Sequence, residues 1–294
     1  MKKTIFLSFL ICFLLPVMAQ NVTTEHGVSM PKDYTAKLDV VYKTVGDWQG
    51  RMDLYLPPNT GKPSPVIINI HGGGWNHGSK EKQTGFGSFF KKKMAVVNIN
   101  YRLVDVAPAP AAVEDVRSVL IYLYKNAKEL NIDTNKIVIM GGSAGGHLAL
   151  CAAYIADNPI FDVDRGDVKN IKVAAVIDKY GIADMVPFST GPKAYKSAVR
   201  WLGKESNNTG FMKSVSCVTY IDKNTPPTFI VHGDADPIVP YSQSVNLYNL
   251  LQKNGVKSEF MTIKDGEHGK FKDEDKSKLS KAIISFLVNV GIVE

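Results

Sequence analysis

Three separated stretches of this 294-residue chain hold residue types that can act together on an acyl group: a serine between glycines, a late aspartate and a later histidine. Gly141-Gly142-Ser143-Ala144-Gly145 follows the apolar run KIVIM and opens the helical pattern GHLALCAAYIA. A Gly-x-Ser-x-Gly turn between strand and helix strains the serine backbone and exposes its Oγ. The helix N-terminus beneath it favours negative charge developing during acyl transfer. Neither the phosphate-loop pattern GxxxxGK[ST] nor the dinucleotide pattern GxGxxG is present at this turn, so a nucleophile fits it better than a phosphate cradle.

A serine hydroxyl is a poor nucleophile unless a base takes its proton, and the base needs an orienting acid. The run TFIVH ends in Gly233-Asp234-Ala235-Asp236-Pro237, and EFMTI ends in Lys264-Asp265-Gly266-Glu267-His268-Gly269. Asp236 is therefore the expected acid and His268 the expected base. Asp234 competes with Asp236, but as the first residue of a tight turn it better suits capping backbone N–H groups. A further run, VIINI, leads into His71-Gly72-Gly73-Gly74-Trp75. Consecutive glycines can turn unobstructed N–H groups into a cavity. Those of Gly73 and Gly74, with that of Ala144, are the expected oxyanion donors, each worth about 2.7–4 kcal/mol of barrier in comparable sites.

The other histidines read as structural. His232 ends a strand and should be packed and hydrogen-bonded, His147 should lie beneath Ser143, and His71 should brace the glycine loop. His77 is placed at the pocket rim and His26 in an N-terminal arm. Trp75, Tyr195 and Trp201 are expected with His77 in the substrate pocket, the aromatics as platforms for a sugar ring. No CxxC or HExxH spacing suggests a metal site, and the chemistry requires no metal or cofactor.

Strand-length apolar runs at 39–45, 52–56, 65–71, 95–101, 136–140, 173–180, 228–232 and 259–263 must position these residues. Helical periodicity falls at 111–130, 144–156, 242–254 and 277–290. Apolar strands alternating with helices predict a mostly parallel, eight-stranded sheet covered on both faces. The first two strands suit an antiparallel hairpin at one edge. In such a sheet a site forms beyond the carboxyl ends of the strands. Residues 20–37 are polar and aperiodic, which predicts a loose arm, whereas 38–294 form one domain with a cap-like insertion at 182–226.

Residues 1–19 pair two lysines with an apolar run and small residues before Gln20, the pattern of a secretory signal peptide cut after Ala19. The run is too short to span about 30 Å of hydrocarbon. A secreted or periplasmic protein without a membrane anchor is expected. With 45% hydrophobic and 21% charged residues the chain is neither disordered nor fibrous. Its net charge of +7 is scattered, and the run Lys91-Lys92-Lys93 reads as a solvated face, so no nucleic-acid partner is implied. Cys151 falls in an apolar helix and reads as a buried thiol; pairing with Cys217 stays open.

HGGGW, Asn100-Tyr101-Arg102-Leu103, Pro110-Ala111-Ala112-Val113-Glu114-Asp115, GGSAGGHLAL, HGDADPIVP with Gln243-Ser244, and GEHG stand in order. Together they resemble an α/β-hydrolase of the esterase and lipase group carrying the HGGG motif, most similarly its bacterial secreted acetyl- and feruloyl-esterase-like subgroup. The resemblance runs from Tyr42 to the C-terminus and is weakest over 182–226. It implies the α/β-hydrolase fold, the triad Ser143, Asp236 and His268, and the oxyanion donors Gly73, Gly74 and Ala144. It also implies a small-molecule or oligosaccharide ester as substrate, with short acyl or feruloyl groups on carbohydrate. Arg102 and Asp115 are expected to pair and brace the glycine loop. Gly142 departs from the pattern, which has a larger or acidic residue before the serine. A serine peptidase of the same fold and a non-catalytic binding protein are the alternatives; the first generally adds a propeller domain, and the second usually loses a triad residue.

Overall fold

The computed structural model describes residues 21–192 and 194–294. The expected signal peptide, 1–19, lies outside the described residues. The chain opens with β1 (Asn21–Thr23), β2 (Ser29–Pro31), β3 (Thr35–Val45), β4 (Trp48–Leu56) and β5 (Ser64–Ile70). Next come α1 (Gly87–Lys91), β6 (Ala95–Ile99), α2 (Ala111–Lys125), α3 (Ala127–Leu130), β7 (Ile132–Gly142) and α4 (Ala144–Tyr154). Strand β8 (Ala175–Lys179) precedes the short helices α5 (Met185–Ser189), α6 (Lys196–Leu202) and α7 (Thr209–Ser214). The chain ends with β9 (Thr228–Gly233), α8 (Ser242–Lys253), β10 (Ser258–Ile263) and α9 (Asp273–Asn289).

Eight strands form one sheet in the order β10-β9-β8-β7-β5-β6-β4-β3. The six from β10 to β6 are mutually parallel, and β4 runs antiparallel to both β6 and β3. The edge hairpin is thus where the sequence pattern puts it. Side chains alternate across each strand, and here both faces are apolar. Val66 and Ile68 of β5, Val97 of β6, Ile139 of β7 and Ile230 of β9 join the core beneath α2, α4 and α8. Ile67, Val96, Val138 and Val231 join the opposite core, closed by α1 and α9. This two-sided burial explains why the strands read as continuous Val/Ile runs.

One expectation is corrected. Residues 20–37 do not form a loose arm. Among those described, β1 and β2 pair, β3 already starts at Thr35, and Val28, Met30 and Tyr34 are buried. Tyr34 sets its ring edge-on against Phe90, 4.9 Å between centroids, and its hydroxyl donates to the Phe90 and Met94 carbonyls. Three buried side chains among many polar ones leave no period to detect, yet they suffice to fix the segment. Helix α9 also starts at Asp273, earlier than the periodicity indicates, because Asp273, Glu274 and Asp275 suit the positive N-terminal end of the helix dipole.

Candidate active site

Parallel neighbours place the carboxyl ends of β5, β7, β8, β9 and β10 along one side of the sheet. The segments following these strands carry Gly72–Gly74, Ser143, Tyr180, Asp236 and His268 respectively. Topology alone therefore gathers residues that are up to two hundred positions apart.

Ser143 joins β7 to α4 with φ 57° and ψ −124°, a conformation costing about 1–3 kcal/mol that persists only when its surroundings impose it. Its N–H donates to the Lys179 carbonyl at 2.9 Å, and its own carbonyl accepts from the His147 N–H at 3.0 Å. The flanking glycines allow this turn. A Cβ at Gly141 would lie 2.1 Å from the Gly145 carbonyl oxygen, and one at Gly145 would lie 2.3 Å from that of Ile70. Serine is thus displayed at the cost of forbidding side chains two residues to either side.

Asp236 and His268 meet directly: Asp236 Oδ2 is 2.7 Å from His268 Nδ1. Oδ1 of the same carboxylate accepts the N–H groups of Ile238 (2.8 Å) and Val239 (3.0 Å). Burial alone would push this carboxyl up. The hydrogen bonds from His232, His268 and the two backbone N–H groups outweigh it and hold the group well below the usual carboxylate range. A charged carboxylate at Nδ1 fixes the imidazole tautomer and leaves Nε2 free to accept a proton. Ser143 and His268 line the same cavity of about 470 Å³, in which Ser143 Oγ makes no hydrogen bond among the described residues. Such contacts commonly tighten only when substrate arrives.

Gly73 (φ 115°) and Gly74 (φ 56°) line this cavity beside Ser143. Gly73 accepts at its carbonyl from the N–H groups of Asn76 and His77 (3.0 and 3.1 Å), which closes the loop into a tight turn. Ala144 is buried as the first residue of α4, where N–H groups lack intrahelical acceptors. Behind the loop, His71 stacks on Tyr101 at 4.3 Å and its Nδ1 lies 2.8 Å from the Gly72 carbonyl. Arg102 Nη2 and Asp115 Oδ1 pair at 2.7 Å, and the Val104 N–H two residues on donates to the Trp75 carbonyl at 2.8 Å. Asp234 accepts the Asp265 N–H at 2.6 Å, a backbone cap. His147 is fully buried beneath the turn, its Nε2 2.7 Å from the Val215 carbonyl, and burial brings its pKa down to about 4. Cys151 and Cys217 are both free and buried.

The expected substrate pocket needs correction. Trp201 is fully buried, does not reach the cavity, and stacks on Trp75 at 4.8 Å and 17°. Trp75 touches the cavity but is itself 1% exposed, so its indole is core and offers no open face. Tyr195 stacks on Phe188 at 4.3 Å; Phe188, not Tyr195, reaches the cavity wall. Only His77 stands at the rim as expected. The pairing of Trp75 with Trp201 joins two distant segments and leaves no local signal. Sequence reasoning also missed Tyr180 and Lys179, which line the cavity from the end of β8.

An eight-stranded, mostly parallel sheet with helices on both faces and a strained serine after a central strand defines the α/β-hydrolase fold. Residues 52–251 match the BD-FAE family model, and the chain belongs to that family. Esterase LipQ of Mycobacterium tuberculosis is 28% identical over 218 residues, covering 72% of this chain and 52% of its own. The chain thus spans about half the length of the curated relatives it matches. A carbohydrate esterase from gut microbiota, solved in truncated form, superposes with a TM-score of 0.73 at 27% identity, covering 87% of this chain and 98% of that one. Propionate-bound esterase 2 of Thermogutta terrifontis superposes with a TM-score of 0.73 at 25% identity, covering 89% and 96%.

Proposed function

We propose that the protein is a serine carboxylic-ester hydrolase working through an acyl-enzyme. The observation that carries this reading is the 2.7 Å contact of Asp236 with His268 at the cavity into which the strained Ser143 opens. His268 Nε2 takes the proton of Ser143 as Oγ attacks the ester carbonyl. The carbonyl oxygen becomes an oxyanion facing the N–H groups of Gly73, Gly74 and Ala144. The C–O bond to the alcohol then breaks, and His268 returns the proton to the departing oxygen. Water, deprotonated by the same imidazole, attacks the acyl-serine and releases the acid. Asp236 stays ionised throughout and stabilises the imidazolium.

The substrate we infer is a short acyl or feruloyl ester on carbohydrate. The gut relative is described as a carbohydrate esterase, and the Thermogutta enzyme is described with propionate bound. The HGGG run and the ordered motifs support the secreted acetyl- and feruloyl-esterase-like subgroup. Residues 1–19 support export to the periplasm or the exterior, and no helix among the described residues is long and apolar enough to cross a membrane. The helices of 182–226, between β8 and β9, are the candidate cap. Incubation with acetylated and feruloylated xylo-oligosaccharides tests the substrate class: release of acetate or ferulate is expected. Turnover of simple acetates with none of the glycosidic esters would contradict it.

A further inference from the structure

Tyr180 packs its ring edge-on against Phe271 and His232, a packing that leaves its hydroxyl unused. It follows β8 with φ 45°, a left-handed conformation that is an outlier for a bulky side chain. Its N–H donates to the Val231 carbonyl at 2.7 Å, just past the last β8–β9 pair. The result is a ring set edge-on against His268, 4.8 Å between centroids at 62°. Its hydroxyl ends between two glycines, the residue before Ser143 and the residue after His268. A Cβ built on Gly142 would lie 3.1 Å from that hydroxyl, and one on Gly269 would lie 2.6 Å from it. Any side chain at 269 would displace the phenol, and one at 142 would crowd it. The larger residue expected before the serine is therefore replaced by a phenol arriving from the neighbouring strand.

The hydroxyl makes no hydrogen bond to protein among the described residues, although Tyr180 lines the cavity. Elsewhere the hydroxyls of Tyr34, Tyr42, Tyr101 and Tyr154 all have partners. Burial, with the nearby Asp236 and Asp178 charges, pushes the Tyr180 phenol up to about 12, so it keeps its proton at neutral pH. It is an unspent donor, between Gly142 and Gly269, on a ring packed against the imidazole that must protonate the leaving group.

We infer that Tyr180 is a catalytic residue whose hydroxyl donates a hydrogen bond to the alcohol oxygen as it departs. This role rests on the ester-hydrolase reading above. When the C–O bond of the tetrahedral intermediate breaks, its electron pair moves to the alcohol oxygen. His268 Nε2 transfers the proton to that oxygen, while Tyr180 keeps its own and spreads the developing charge. In deacylation the attacking water occupies the same place and accepts the same bond. The contribution grows with the basicity of the leaving oxygen, which is greatest for sugar and alkyl alcohols and small for nitrophenolate.

The test is Tyr180→Phe, which keeps the ring, assayed as kcat/KM on acetate esters from p-nitrophenyl acetate to alkyl and methyl-xyloside acetates. A hydrogen bond to a charged oxygen predicts about a tenfold or greater loss on the alkyl and sugar esters, and less than about threefold on p-nitrophenyl acetate. Labelling by a fluorophosphonate, whose fluoride leaves unaided, should proceed at the wild-type rate and reports an intact Ser143. Equal losses across the series, or none on the sugar ester, would overturn the role of Tyr180 alone. A wild-type protein inert on every ester would overturn the hydrolase reading, and this role with it.

Discussion

The Nε2 of His232 lies 3.1 Å from Oδ2 of Asp236, the same carboxylate oxygen that contacts His268. His232 is fully buried, and its Nδ1 is 2.7 Å from Ser244 Oγ. An ionised Asp236 requires a proton on Nε2 of His232, so the Ser244 hydroxyl donates to Nδ1. A chain Ser244–His232–Asp236–His268 therefore fixes the acid and, through it, the tautomer of the base. The His232–Asp236 bond spans one four-residue step in a tight turn, and the Ile238 and Val239 N–H groups hold the other carboxylate oxygen.

Replacing His232 by Leu removes a donor that helps hold Asp236 below the usual carboxylate range. Asp236 then loses one of the bonds that hold its Oδ2 in place beside His268. kcat/KM should fall about tenfold at neutral pH. His232→Gln, which keeps an N–H near the same place, should recover part of the loss. A wild-type kcat/KM in the Leu variant would show that His232 only fills space.

Gly73→Ala should abolish most turnover without unfolding the chain. At φ 115° its Cβ would lie 2.0 Å from the His77 carbonyl oxygen, so the turn that presents the N–H groups must open. Losing one oxyanion donor predicts about a hundredfold or greater fall in kcat. A thermal melt close to wild type, measured beside the kinetics, separates this from global damage.

Much of this site was legible because its signals are local. The Gly-x-Ser-x-Gly turn, the glycine run and the acid and base after late strands all sit where backbone geometry demands particular residues. The sheet was legible because two-sided burial leaves Val/Ile runs. What escaped depends on contacts between distant segments. Trp75 and Trp201 look like exposed platforms until their stacking is seen. Tyr180 is one aromatic at a strand end until Gly142 and Gly269 are seen to make room for it. His232 reads as a packed histidine, as it is, but nothing in the sequence says that its partner is Asp236.

Trp201→Ala should cost about 3–5 kcal/mol of stability, as expected for a fully buried indole. It should act through the fold, lowering the melting temperature. A raised KM for glycosidic esters at unchanged melting temperature would restore the platform role that the structure denies it.

Asp178 gives stability a distinct pH dependence. It is fully buried under α4, neither carboxyl oxygen has a well-formed hydrogen bond, and burial pushes its pKa from 3.8 up to about 7. Below about pH 4 both the folded and unfolded chains hold this proton. Between about 4 and 7 the unfolded chain releases it while the folded one retains it, so this contribution to stability declines as pH rises and is lost above about 7. Asp178→Asn removes the decline. Its melting temperature relative to wild type should be higher at pH 8 than at pH 4, by at least about 2–4 °C. A pH-independent difference would contradict the assignment.

The central claim is that Ser143 carries the acyl group, and intact-protein mass spectrometry tests it most directly. Wild type treated with a fluorophosphonate should gain one adduct, mapped by peptide sequencing to Ser143, and lose its turnover of p-nitrophenyl acetate in step. Ser143→Ala should fold, take up no adduct and turn over nothing. An adduct on another residue, or a Ser143→Ala variant that still hydrolyses the ester, would contradict the account.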